Sequence, residues 1–461
     1  MRNLLFLLLV SLLACGGESI DSFKIRVLVP CDPYDVWQQA ASLELQMLDG
    51  SGSLIDNRRV NPRSIGRIRF EQKLFEGKEK VTIYAIARNQ QDQSILTGKV
   101  GPIDLKENSS SPAIIILTPL NKVTQPGLDT KGTCINLGPF PQGSAVTRLK
   151  DGRLLMTGGL EGGVPSSAAY LIDPNYWRYD NDLFNDNQTG FSGGRGMFNK
   201  RAFHTSTLLD DGRVLIYGGT GVGSSLRTAE IFDPVKSSFT RVPVTSKYWR
   251  SHHAAYLENG LIYFIGGQEN KNDRLSYPAE IEVFDVKRLA FFSDASFALS
   301  TGRSYFGHFR TGNTVFVLAG KAGFNKVPSI EKIDLTSKSN TILTASFNSG
   351  GAAAATFNQG SDKALVFLEK CEAMFFSVKN ELLLGQLNPS CDNFTPLNAF
   401  SFADGLAVGM GPEGIFSVRE QNQQINFLDF ISKTAAPAFD LGDNLIFIGS
   451  GNASAYFRGK Q

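Results

Sequence analysis

The chain has 461 residues, 42% hydrophobic and 20% charged, with 46 Lys and Arg against 44 Asp and Glu. So even a balance raises no broad basic field, which excludes nucleic acid as the expected partner. The length leaves room for two domains with substantial cores, and 34 Phe with 46 Gly suit many small packed sheets joined by tight turns.

The first element is "MRNLLFLLLVSLLAC". One Arg, an apolar run of about a dozen residues and a small residue make a secretory signal, too short for a spanning helix. Leu12-Leu13-Ala14-Cys15 resembles a bacterial lipobox. That resemblance implies cleavage after residue 14 and a lipid on Cys15. Gly16 stands where an Asp would signal inner-membrane retention in enteric-type sorting, so an outer-membrane lipoprotein is expected, touching the membrane through the lipid alone. Residues 15–21 are the tether.

From 22 to 119 the chain reads as short strands: "FKIRVLV", "ASLELQML", "RIRFEQKL", "EKVTIYAIA", "SILTGKVGPIDL" and "AIIILTP". Several alternate with period two, and "LDGSG" and "FEGKE" are turn signals between them. About 100 residues of this kind make a small β-sandwich, immunoglobulin-like or transthyretin-like. Residues 120–131 read as a linker by composition.

Beyond it a repeat begins. "DGRLLMTGG" at 151–159 returns as "DGRVLIYGG" at 211–219, "NGLIYFIGG" at 259–267 and "GNTVFVLAG" at 312–320. Worn copies start near Ser361, Ala403 and Gly442. Asp-Gly or Asn-Gly is a hairpin turn, the apolar run a buried strand, and the Gly pair a stop that lets backbones approach closely. A second strand lies upstream, opened by Arg201, Arg250 and Arg303 in three copies. A third lies downstream: "AAYLIDP", "AEIFDP", "IEVFDV", "IEKIDL". A weaker aromatic-bearing strand follows. Units of four short antiparallel strands, recurring at this spacing, make propeller blades.

These motifs resemble kelch repeats, closely in the first four units and loosely in the last three. The resemblance implies an all-β chain in which the sandwich is followed by a kelch-like β-propeller over 132–461. Seven blades are favoured and six is the alternative. The seventh unit lacks room for a fourth strand, and "TCINLGPF" at 133–140 is expected to supply it and close the ring. Some kelch-like propellers, the galactose oxidase relatives, are copper enzymes needing a Cys-crosslinked Tyr and His ligands. With four His and no free Cys in the early blades, that chemistry is not expected here. No Ser/His/Asp arrangement, phosphate-cradling Gly loop or HExxH motif occurs. No cofactor, metal or catalytic residue is therefore assigned. The expected role is a binding or scaffold module for an envelope or extracellular protein or glycan. A propeller enzyme acting on sugars is the alternative.

Four cysteines remain after Cys15. They suggest two bridges among three pairings, with Cys371–Cys391 inside one blade and Cys31–Cys134 tying the domains together. Arg201, Arg250 and Arg303 precede Gly218, Gly266 and Ala319 at nearly constant spacing. Either the three guanidiniums ring the channel mouth and hold an anion, or each bonds backbone between blades, the favoured reading because side-chain bonds go mostly to backbone. The insert "NYWRYDNDLFNDNQTGFSGGRGMFNK" at 175–200 adds Trp177, Tyr179 and Phe184 as a stacking surface. Its Asp180, Asp182 and Asp186 do not follow a calcium-loop order. The loops after the Gly pairs and those leading into each Arg strand are expected on one face, which would hold the ligand.

Overall fold

The computed structural model describes residues 22–30, 35–64, 68–105, 112–119, 123–124, 141–175, 196–347, 351, 353–358, 362–387, 394–401, 406–411, 414–419, 425–429, 438–442, 445–450 and 453–458. Seven strands build the first domain: β1 (Ser22–Leu28), β2 (Ser42–Asp49), β3 (Leu54–Val60), β4 (Ile68–Glu71), β5 (Lys80–Arg88), β6 (Ser94–Asp104) and β7 (Ala113–Ile116). They form two sheets, ordered β4-β1-β7 and β3-β2-β5-β6, with β1 and β7 parallel. Burial alternates residue by residue along β5, as it must when one face of a strand meets a core and the other meets water. Ile25, Leu45, Ile83 and Ile115 lie between the sheets with almost no exposure. The expected sandwich is therefore present, with one strand more than its sequence suggested. β3 carries Asp56, Asn57, Arg58 and Arg59 and sits at a sheet edge, so no apolar run announces it.

Among the described residues from Ala145 to Arg458, seven antiparallel blade sheets follow one another, one for each repeat, beside smaller hairpin sheets. The apolar runs of the repeat all fall on the second strand: Leu154–Thr157, Val214–Tyr217, Leu261–Ile265, Thr314–Leu318, Lys363–Leu368, Leu406–Gly411 and Leu445–Ser450. In blades 1 and 2 every residue of this strand is buried; in blade 2 one face packs on blade 1 and the other on blade 3. The outer strand of blade 4, Ser339–Ser346, is mostly exposed. Turns below the blades explain the acidic residues. Asp211 accepts the N–H of Arg213 across Gly212, which lies at φ +88°. Asp233 accepts the N–H groups of Val235 and Lys236, and Asp334 those of Thr336 and Ser337. These are the "FDP"-type turns of the repeat.

The inner strands of successive blades touch. Thr147 meets Ser206, Tyr256 meets His308, Phe309 stacks on Phe357, and Ser401 donates to the Phe357 carbonyl. From blade 1 to blade 6 each inner strand thus meets the next, as in a kelch-like propeller. The sandwich meets blade 1 at Asn175, whose carbonyl accepts from the Ile114 N–H and whose side-chain oxygen accepts from the Gly101 N–H, each at 2.9 Å.

The closing strand differs from expectation. Val123–Thr124 pairs antiparallel with Phe457 and Tyr456 and completes the seventh blade. The closure therefore draws on the stretch read as a linker, and the expected 133–140 segment lies outside the described residues. Composition misled because two ladder residues flanked by Asn, Gln, Pro and Gly carry no strand pattern. Deleting Val123 and Thr124 is expected to expose the edge at Ala453–Arg458 and to lower stability by roughly 1–3 kcal/mol, the value of a few lost ladder bonds. Thermal melts of the deletion protein check this, and an unchanged midpoint would show that the pairing carries no weight. Cys15, Cys31, Cys134 and Cys391, with the side chain of Cys371, fall outside the described residues, so neither bridge is placed.

Candidate functional site

The Arg spacing has a structural cause. Arg201 Nη1 donates to the Gly218 carbonyl at 2.6 Å, Arg250 Nη1 to Gly266 at 2.6 Å and Arg303 Nη1 to Ala319 at 3.2 Å. The three partners end the second strand of the same blade. The carbonyl of each Arg accepts in turn from the previous blade: Gly159 donates to Arg201, Gly219 to Arg250 and Gly267 to Arg303, at 2.7–2.9 Å. Each Arg thus joins its own blade to the one before. All three are fully buried. Arg201 pairs with Glu230 at 2.7 Å, Arg303 pairs with Glu331, and Arg250 lies 4.7 Å from the centre of the Tyr248 ring. Of the two readings, the backbone role is the one seen and Arg201, Arg250 and Arg303 are corrected as ligand candidates: these guanidiniums face protein, with no exposed surface for an anion.

A buried Glu belongs to the repeat as well, a feature the sequence reading missed; it pairs with the Arg in blades 2 and 4, while in blade 3 Arg250 donates to the Glu280 carbonyl and Glu282 accepts from Tyr217. Glu230, Glu282 and Glu331 are the second residues of "AEIF", "IEVF" and "IEKI", and all are buried. Glu230 accepts the N–H groups of Phe198 and Asn199. Glu282 accepts from Lys247 N–H and the Ser246 hydroxyl, and Glu331 from Ser300 N–H. Each fixes the segment leading into an inner strand. A Glu recurring inside an apolar strand was the available signal.

Three residues after Arg comes His204 or His253. His204 Nε2 pairs with Thr157 Oγ1 of blade 1 at 2.8 Å, and His253 Nε2 with Thr205 Oγ1 of blade 2 at 2.9 Å. Burial drives both imidazoles well below their ordinary range, reinforced by Arg201 beside His204 and Arg250 beside His253. Both are neutral when folded. The unfolded chain binds protons near pH 6.5 while the folded one refuses them, so stability is complete above that value and falls as the pH drops through it. Each imidazole is expected to remove about 1.4 kcal/mol per pH unit below 6.5. Denaturant midpoints at decreasing pH test this, and the slope should flatten in His253→Gln.

One face of the ring carries a different chemistry. Between second and third strands four blades extend small hairpins: Leu160–Glu161 with Val164–Pro165, Thr220 bridged to Ser225, Gln268–Lys271 with Arg274–Ser276, and Lys321–Ala322 with Asn325–Lys326. The segments leading into the inner strands bond to them, Gln142 to Leu160, Ala202 to Thr220, Arg250 to Glu269 and Ser304 to Lys321. The expectation that both loop sets share a face is met.

In the lead-in segments on this face, the second residue after each Arg adopts left-handed backbone. Phe203, His252 and Tyr305 lie at φ +56°, +54° and +54°. In blade 1 the matching place holds Gly143, whose carbonyl accepts from the Phe203 N–H. A left-handed side chain costs roughly 1–2 kcal/mol where glycine costs nothing. Three bulky residues are kept there regardless. The Phe203 and His252 rings stack at 4.3 Å and 18°, and His252 and Tyr305 meet at 4.9 Å. Tyr305 is the most exposed of the three. Below them, Tyr256 Oη and His308 Nδ1 meet at 2.6 Å on the inner strands of blades 3 and 4. Outliers of this kind concentrate at binding sites, where they aim side chains that the fold alone would not require. Trp177, Tyr179 and Phe184, expected as the stacking set, lie outside the described residues.

A family model described as the Kelch motif matches residues 201–243. That span is blade 2 from Arg201 to just beyond its outer strand, and it carries the Arg, Gly-pair and Asp-turn features described above. Comparison with curated proteins gives no match. The chain thus carries a Kelch motif in blade 2 within an all-β, kelch-like fold.

Proposed function

We propose that this protein is a non-catalytic binding or scaffold module, anchored at the outer membrane by lipid on Cys15, that takes a protein or glycan ligand on the hairpin-bearing face of its propeller. The observation that carries the reading is the aromatic crescent on the lead-in segments. Phe203, His252 and Tyr305 occupy a backbone state suited to glycine, and hairpins from four blades surround them. Rigid blades with adaptable loops are a common way to build a binding face. Kelch repeats as protein-binding modules fit the same role.

The crescent is tested with variants that relieve strain while removing the ring. Tyr305→Gly should keep or raise thermal stability. It should also weaken a ligand found by glycan array or envelope pull-down by roughly two- to twelve-fold, the range of one aromatic contact. Undiminished binding in both Tyr305→Gly and Phe203→Gly would reject the crescent as the site. Anchoring is read separately: Cys15→Ser should abolish acyl labelling, and labelling that persists would remove the lipid from the proposal.

A further inference from the structure

The four hairpins share a property that the blades do not need. Val164 at 50%, Val222 at 71% and Leu275 at 52% exposure each place an aliphatic side chain in water, and Phe324 is fully exposed. They stand on four successive blades, each on its own short hairpin. Isolated exposed apolar residues are ordinary, but a matched set on one face marks a contact surface.

The charge around them is one-sided. Lys200, Arg227, Lys271 and Arg274 are exposed on these hairpins and lead-in segments and have no carboxylate partner among the described residues. Lys326 also lies there, 3.7 Å from Glu369. The exposed anions of the same hairpins are Glu161 and Asp273. Arg227 and Lys271 also flank the Trp249 ring, at 5.3 and 5.9 Å from its centre. On the opposite face the acidic side chains are consumed locally: Asp151, Asp211 and Asp285 each pair with an Arg two or three residues away. The hairpin face carries more exposed cations than exposed anions.

We infer that this crown docks an acidic polypeptide, whose carboxylates meet Arg227, Lys271 and Arg274 while its apolar side chains seat against Val222, Leu275 and Phe324. The inference rests on the binding-face reading above and narrows it. Aliphatic tips favour a polypeptide over a glycan, because sugar rings stack on planar aromatic faces whereas Val and Leu bury against other apolar side chains.

The test uses full-length protein in detergent and a labelled random copolymer of Glu and Tyr as probe, read by fluorescence anisotropy. Poly-Glu and dextran sulfate serve as comparison probes. The Glu–Tyr copolymer should bind, and Phe324→Ser and Arg274→Glu should each weaken it by at least about five-fold, as expected of interface anchors. Because both side chains are exposed, melting temperatures should not move. Val235→Ser, at an exposed apolar residue on the opposite face, should bind like the parent. Equal binding of poly-Glu would overturn the role of the apolar tips. Stronger binding of dextran sulfate would replace the polypeptide by an anionic glycan. A glycan whose binding falls in Tyr305→Gly but not in either crown variant would leave the face as a site and remove the acidic polypeptide from it.

Discussion

Arg201→Ala is expected to destabilise the propeller by roughly 3–5 kcal/mol, the cost of removing one partner from a buried ion pair. The effect has three parts. Glu230 keeps its bonds from the Phe198 and Asn199 N–H groups but loses the guanidinium at 2.7 Å. The Gly218 carbonyl loses its donor. A cavity the size of a fully buried Arg opens between two blades. Chemical denaturation measures the loss, and the double variant Arg201→Met with Glu230→Gln should recover part of it by leaving no charge uncompensated. A loss below about 1 kcal/mol, typical of an exposed pair, would show that the joint is open to water.

The second large effect is expected at Gly218. It lies at φ +68°, and a Cβ there would run into the Arg250 carbonyl oxygen and come within 3.0 Å of the His253 ring. The neighbour is backbone held by a bond from Gly219, so it cannot yield as a flexible side chain would. Gly218→Ala is expected to cost roughly 2–5 kcal/mol, combining left-handed strain with overpacking. Gly152→Ala separates the two terms. Gly152 lies at φ +90°, and a Cβ there would meet nothing within 4 Å, so only the strain, about 1–2 kcal/mol, is expected. Equal losses at the two sites would mean that the blades accommodate the methyl group and that the Gly pair answers to local backbone alone.

Much of the molecule was legible in its sequence. The repeat placed all seven second strands, and the alternation before residue 120 placed the sandwich, because strand pleat and turn φ are local properties written in neighbouring residues. The misses have different causes. β3 is polar because it lies at an edge. The closing pair Val123–Thr124 is too short to show a period, and its partners, Tyr456 and Phe457, stand at the other end of the propeller sequence. The buried Glu230, Glu282 and Glu331 resembled the surface charges of a half-exposed strand until the neighbouring blades covered them.

The Arg row marks the boundary most clearly. Spacing alone determined that Arg201, Arg250 and Arg303 play one role three times over, since a repeat with constant register must put equivalent residues in equivalent places. Spacing could not decide where the guanidiniums point. The bond to Gly218, Gly266 or Ala319 closes within each blade, yet burial depends on the adjoining blade, and so does the Gly–Arg bond that crosses to it. Tertiary stacking therefore turned a candidate ligand ring into interblade joints. The same stacking brought Phe203, His252 and Tyr305, each from a different blade, into one aromatic crescent beside the hairpins.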